Sequence, residues 1–363
     1  MLTVIIPCYK AKDTIDRAIK SVLQAPGVQI LAVDDACPDD TGAHVKSVYD
    51  MEPRLRLLTH DENLGLGAAR NTGLDNSSTE YVAFLDADDH WTNSAQISQA
   101  CQEMKQVEAD AGYMPVVIVT DNDKPPNAYP DQLPIAPLIG QTTNIQSTPQ
   151  MSVIQPCWSM LYRRQFLTES NQRFQRRKFE DHDFGLEVVL TASRLLVLTN
   201  SPVIHYDKTR MGTLSSSRLT AEDLQLFRDH VARVVELMND HPELPEKSRA
   251  ERASHYIFRL LRQLLDTEHL TTDSINRTFE MIDALRGNSR VSELLKLPQY
   301  RSGATQQLLA RHPYLPAALD RALINQSRFV HLVRLLRFGR KQPRGKARTL
   351  AKLGLRMVSL PWK

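Results

Sequence analysis

The strongest constraint on this chain is a series of four short apolar runs, each stopping at a turn or an acidic residue. They are Leu2–Pro7, Gln29–Val33 before Asp34-Asp35, Leu55–Thr59, and Tyr81–Leu85 before Asp86. Runs this short read as buried strands, and helical patterns lie between them. The first such pattern sets Ile15, Ala18, Ile19, Val22 and Leu23 on one face, with Asp13 as its predicted N-cap and Pro26-Gly27 as its stop. Two more helices are predicted over Thr41–Tyr49 and Gly65–Leu74. Strands that are apolar throughout and alternate with helices belong to a mainly parallel, doubly wound α/β sheet. Ligands of such sheets bind beyond the carboxyl ends of the strands. Pro7, Asp34-Asp35 and Asp86-Ala87-Asp88-Asp89 all fall there.

The later sequence changes character. Residues 121–150 hold six prolines and read as a long irregular insertion of the kind that forms lids or binding surfaces. Gln155–Tyr162 resumes strand-like character. Phe179-Glu180-Asp181-His182-Asp183 opens a helix that continues through Leu186, Val189 and Leu190. Leu195–Leu198 and Val203–Tyr206 are the last predicted strands, and from about Thr220 the pattern is helical almost to the end. The expected organisation is an α/β domain over residues 1–215 and a helical region over 216–363.

Composition bounds the setting. Of 363 residues, 42% are hydrophobic and 24% charged, which suits a globular protein. Cysteines 8, 37, 101 and 157 show no C-x-x-C spacing, so neither a zinc site nor a disulfide framework is suggested and a cytoplasmic setting is expected. The N-terminus reads as a strand and not as a signal peptide. No stretch approaches the roughly 18 apolar residues of a membrane span. The net charge of +3 is unevenly spread: 12 of the 45 Lys and Arg lie in residues 321–363 beside no Asp or Glu, leaving the remainder at −9. There, Phe329–Phe338 has a broad apolar stripe ringed by Arg328, Arg334 and Arg337, and the chain ends in Pro361-Trp362-Lys363. A basic amphipathic tail suits an anionic membrane surface, and a peripheral position at the inner face of the membrane is one expectation. The other is a helix packed on the body. The tail lacks the aromatic interleaving of a nucleic-acid binder, so no nucleic acid is expected.

The chemistry centres on Phe84-Leu85-Asp86-Ala87-Asp88-Asp89. Three crowded carboxylates raise one another's energy unless a cation is present. Oxygen ligands suit Mg²⁺ or Mn²⁺, which share their coordination with phosphate oxygens. Read alone, D-x-D is more often a solvated acidic turn or a helix cap. Its companions are Leu2-Thr3-Val4-Ile5-Ile6-Pro7-Cys8-Tyr9, Ala32-Val33-Asp34-Asp35, and Asn63-Leu64-Gly65-Leu66-Gly67-Ala68-Ala69-Arg70-Asn71-Thr72-Gly73.

In this order and spacing the set resembles the family 2 glycosyltransferases of GT-A fold, over roughly residues 1–215. The resemblance implies an inverting, metal-dependent transfer of sugar from a nucleotide-sugar donor, of the uridine-linked kind, to a carbohydrate or lipid-linked glycan in cell-surface polysaccharide synthesis. It implies that Pro7 and Tyr9 line the nucleoside pocket, that Asp34 and Asp35 hydrogen-bond the base or ribose, and that Arg70 lies near the nucleotide. Asp86 and Asp88 match the metal and ribose-phosphate motif. Glu180-Asp181 resembles the later E-D motif, whose aspartate is the general base on the acceptor hydroxyl, with Asp183 in reserve. In Val203–Gly212, His205 is implied as a metal ligand, and Lys208 and Arg210 as phosphate contacts. The usual serine after this turn is displaced, the chain running Gly212-Thr213-Leu214-Ser215. The alternative is a degenerate relative serving as a glycan-binding or membrane-associated assembly module. A sugar nucleotidyltransferase is disfavoured because Pro7–Lys12 holds no glycine-rich phosphate loop.

Overall fold

The computed structural model describes residues 1–114, 117–121, 124–128, 136–148, 151, 157–175, 180–207, 220–242, 244–246 and 271–286, with scattered helical positions between 249 and 264 and Val333. The chain forms two compact units, Met1–Ser216 and Ser217–Lys363.

The first unit opens with β1 (Leu2–Cys8), α1 (Ile15–Leu23), β2 (Val28–Asp34), α2 (Thr41–Tyr49), β3 (Leu55–Thr59), α3 (Leu66–Asp75) and β4 (Tyr81–Phe84). It continues through β5 (His90–Thr92), α4 (Ile97–Gln106), β6 (Ala111–Tyr113), β7 (Val117–Asp121), β8 (Lys124–Ala128), β9 (Thr142–Thr143), β10 (Met160–Arg163), α5 (Arg164–Glu169), α6 (Glu180–Thr191), β11 (Leu195–Val197) and β12 (Val203–Asp207). The main sheet runs β3-β2-β1-β4-β10-β6-β11-β9. Its first four strands are parallel, and β10 inserts antiparallel between β4 and β6.

Alternation along β1 explains the two cores. Leu2, Val4, Ile6 and Cys8 join α1, α2 and α4 on one face, where Ile15, Ala18, Ile19 and Val22 supply the buried stripe of α1. Ile5 points to the other face, where α3 approaches so closely that a Cβ on Gly73 would stand 2.4 Å from Ile5 Cγ2. On that second face Phe84 meets Tyr162, Phe174 and Phe184 edge-on at 5.0–5.9 Å, while Phe174 and Phe184 stack at 3.9 Å. Pro7 sits inside the central strand at little cost: β1 pairs with β4 only from Leu2 to Ile5, so its missing N–H falls beyond that ladder.

Two local expectations are corrected. The cap of α1 is Thr14, not Asp13, and its hydroxyl donates back to Ala11 O at 3.2 Å instead of capping the helix. The stretch 121–150 is not irregular throughout, because β8 lies within it. Pro125 and Pro126 are tolerated there because β8 is an outer strand of a second sheet, ordered β5-β12-β7-β8, and the two prolines fall at a register irregularity, between Asp121 opposite Lys124 and Val119 opposite Asn127, where the ladder is interrupted. That second sheet was not foreseen.

The second unit contains α7 (Ala221–Asp240) and α8 (Thr272–Arg286). Thr220 and Asp223 form a reciprocal capping box at the start of α7. Arg228 ties the two helices by donating to Ser274 O at 3.0 Å. The tail 321–363 lies outside the described residues, apart from Val333. Among the described residues no helix is long and apolar enough to cross a membrane.

A candidate active site at the carboxyl ends of the strands

The turn after β4 and the first turn of α6 meet at Arg70. This side chain projects from α3 and is 1% exposed. Its Nη1 donates to Glu180 Oε1 at 2.7 Å and its Nη2 to Asp86 Oδ1 at 2.8 Å, while its guanidinium carbon lies 5.3 Å from the Phe174 ring centre. Burial works against the guanidinium charge, but the carboxyl groups of Asp86, Glu180 and Asp181 outweigh it and hold Arg70 protonated. Glu180 is pushed up to about 7 by its burial, against the pull of Arg70 and with Asp181 adding to the rise. The fork thus binds the strand end carrying Asp86 to the helix start carrying Asp181. Arg70 was expected beside the nucleotide. In the structure both ends of its fork are taken by carboxylates.

Of the three carboxylates after β4, Asp89 is fully buried, whereas Asp86 and Asp88 are half-buried. Arg17 donates to the Asp88 carbonyl at 2.6 Å and fastens this turn to α1. In the first turn of α6, Asp181 is half-buried and Asp183 is 1% exposed, so Asp181 is the more accessible acid. At the end of β1, Pro7 is buried and Tyr9 is 47% exposed, with Lys10 Nζ 5.3 Å from its ring centre.

The Asp34-Asp35 pair divides its duties. Asp35 accepts Leu64 N–H at Oδ1 and Gly65 N–H at Oδ2, both at 2.8 Å, and its Oδ1 lies 2.7 Å from His60 Nδ1. It therefore builds the start of α3. Gly65 takes φ +92 there, a conformation that favours glycine. Asp34 Oδ1 accepts Cys37 N–H at 3.0 Å in a tight turn. The Cys37 thiol beside it is pushed up to about 12, by burial first and then by Asp34.

His205 stands on β12 in register with His90 of β5. Their rings stack at 4.5 Å, and His205 Nε2 lies 3.1 Å from Thr92 Oγ1. Burial and then Arg17 lower its pKa. Among the described residues no three His, Cys, Asp or Glu side chains already gather into an ion cage. Two half-buried carboxylates at one strand end still fit a divalent ion that takes its other ligands from phosphate and water. Lys208 and Arg210 lie outside the described residues. Sequence reasoning did not single out His60, Cys157 or the pairing of Glu180 with Arg70; an Arg and a Glu 110 residues apart carry no local signal.

Residues 3–169 match the family model Glycosyl transferase family 2. The chain is 26% identical over 212 residues to Uncharacterized glycosyltransferase EpsJ of Bacillus subtilis, covering 56% of this chain and 60% of that one. It is 38% identical over 93 residues to UDP-Glc:alpha-D-GlcNAc-diphosphoundecaprenol beta-1,3-glucosyltransferase WfgD of Escherichia coli, covering 25% and 36%. It is 41% identical over 90 residues to Succinoglycan biosynthesis protein ExoO of Rhizobium meliloti, covering 24% and 25%. The matched stretch thus spans at most 60% of these three curated relatives. The fold is similar to that of S. aureus TarS 1–349, solved in complex with UDP-GlcNAc, with TM-score 0.52 at 16% identity over 98% of this chain and 90% of that one.

Proposed function

We infer the reaction from one premise: through residues 3–169 this chain belongs to glycosyltransferase family 2. It transfers a sugar from a nucleotide-sugar donor, the nucleotide being a uridine diphosphate, to a carbohydrate hydroxyl during synthesis of a polysaccharide or other extended glycan. The observation that carries this reading is the Arg70 fork, which ties the Asp86 strand end to the α6 start at 2.8 and 2.7 Å. A transferase needs one acidic group on the donor's phosphate side and another on the acceptor's side. The fork holds the elements bearing both.

The residues divide the work. Tyr9 offers an exposed face to the nucleoside, and Asp34 offers a carboxylate to its N–H or hydroxyl groups. Asp86 and Asp88 would hold Mg²⁺ or Mn²⁺, whose charge stabilises a departing diphosphate. Lys208 and Arg210 would add cationic contacts to the phosphates. Asp181 takes the proton of the acceptor hydroxyl as that oxygen attacks the anomeric carbon, because a sugar hydroxyl is a poor nucleophile while it keeps its proton. Attack from the side opposite the leaving diphosphate inverts the anomeric centre.

WfgD by its printed name uses UDP-Glc and a diphosphoundecaprenol-linked acceptor, which supports a uridine donor and a lipid-linked glycan here. A lipid-linked acceptor also gives the basic tail a purpose, since each Lys or Arg near an anionic surface is worth about 1 kcal/mol. On this reading the enzyme works peripherally on the cytoplasmic face of a membrane.

The test is nucleoside diphosphate release from a panel of nucleotide sugars with Mn²⁺, Mg²⁺ or EDTA. Turnover of a UDP-sugar with metal and its loss in EDTA support the reading. Failure to bind or turn over any donor with either metal would sink it.

A further inference from the structure

We propose that the stacked pair Trp158–Tyr206 is the platform that receives the acceptor's sugar ring beside Asp181. The proposal deepens the transferase reading and rests on it. The two rings lie 5.3 Å apart with an interplanar angle of 24°. Both are packed against the core that β1 shares with α1 and α4, yet only partly buried, so each keeps surface open to solvent.

Topology puts the pair at the site. Trp158 lies in the turn Cys157–Ser159 that leads into β10. That strand runs antiparallel to β4, with Leu161 opposite Ala83. Residues just before β10 and just after β4 therefore leave the sheet at the same end, which places Trp158 beside the Asp86 turn. Its neighbour Cys157 is fully buried, and the charges acting on it are those of Arg70, Asp181, Asp86 and Glu180. Tyr206 arrives from the second sheet, one residue after His205, whose partner His90 closes the same acidic turn. One ring thus comes from the strand next to the Asp86 strand and the other from the neighbouring sheet.

The chemistry of the rings selects their ligand. A donor carries two negative phosphates and is gripped through charge. The reacting end of a glycan acceptor is neutral, with a C–H face and a rim of hydroxyls. Beside Asp86, Asp88 and Asp181, an aromatic surface offers that C–H face an apolar contact, while the carboxylates serve the rim. Stacking also orients the ring, so that one hydroxyl is delivered to Asp181.

The experiment separates the platform from the transferase reading. With the donor that the full-length wild type turns over, transfer to octyl β-glycosides of glucose, galactose and N-acetylglucosamine is compared with transfer to water. Trp158→Ala and Trp158→Leu are expected to raise the glycoside KM about tenfold and to leave donor KM and hydrolysis within about twofold; Trp158→Phe keeps most of the affinity. The leucine variant retains apolar bulk, and an unchanged melting temperature shows that it folds. An equal rise in donor KM, or an unchanged glycoside KM, overturns the platform. Intrinsic fluorescence decides it independently of turnover. Saturable change on titrating the glycosides, lost in Trp158→Phe, supports the platform, and no such change in the wild type overturns it. A wild type with that change but no donor turnover removes the transferase reading alone.

Discussion

Arg70 carries a cost that its surroundings must offset, because burying a cation with two carboxylates is at best neutral for stability. Its fork serves geometry. Lysine offers a point charge and cannot span two carboxylates in the same way. Arg70→Met leaves Asp86 and Glu180 without their cation and should cost about 3–5 kcal/mol in denaturant unfolding. Arg70→Lys should stay closer to wild type in stability while losing turnover by about tenfold or more, read as kcat with donor binding retained. Glu180 gives a pH signature. Its carboxyl rises from 4.5 to about 7 on folding, so the folded state prefers it protonated. The stability this preference supplies is fully present below pH 4.5 and lost as pH rises through about 7. Melting temperatures of Glu180→Gln across that window should lack the fall that Glu180 contributes in the wild type.

Helix α3 places Arg70, and its seat on β1 depends on the missing side chain at Gly73. A Cβ there would meet three atoms of Ile5 at 2.4–3.0 Å. Gly73→Ala should cost about 1–3 kcal/mol in urea unfolding and lower turnover by shifting the fork. An unchanged variant would mean that α3 does not set the site. The first four strands were legible because each is a buried apolar run between helical patterns, and their ranges in the structure differ from expectation by about a residue at either end. The second sheet was not, because Pro125 and Pro126 speak against a strand until its edge position is known. In the site, the acidic residues were legible as residue types at strand ends. Their destinations were not. Asp35 is spent on Gly65, 30 residues on, and Arg70 on Glu180, 110 residues on, and such pairings are decided by tertiary packing alone.

For the molecule as a whole, the open matter is how a charged active site and a basic tail serve one reaction. If the tail brings the enzyme to a lipid-linked acceptor, the full chain should co-sediment with anionic phospholipid vesicles, less so as salt rises, and not with neutral ones. Truncation before residue 321 should abolish that binding and leave donor hydrolysis unchanged. On the proposed reading, Arg70 ties the strand end bearing the donor-side acids to the helix start bearing Asp181, so that both serve a single transfer site. Calorimetric binding of UDP with Mn²⁺, alongside turnover of a UDP-sugar, tests it most directly in Asp88→Asn and Asp181→Asn. Asp88→Asn should lose metal-dependent nucleotide binding, and Asp181→Asn should bind UDP as the wild type does while turning over about 100-fold or more slowly. Wild-type turnover by Asp181→Asn, or undiminished metal-dependent binding by Asp88→Asn, would contradict the account.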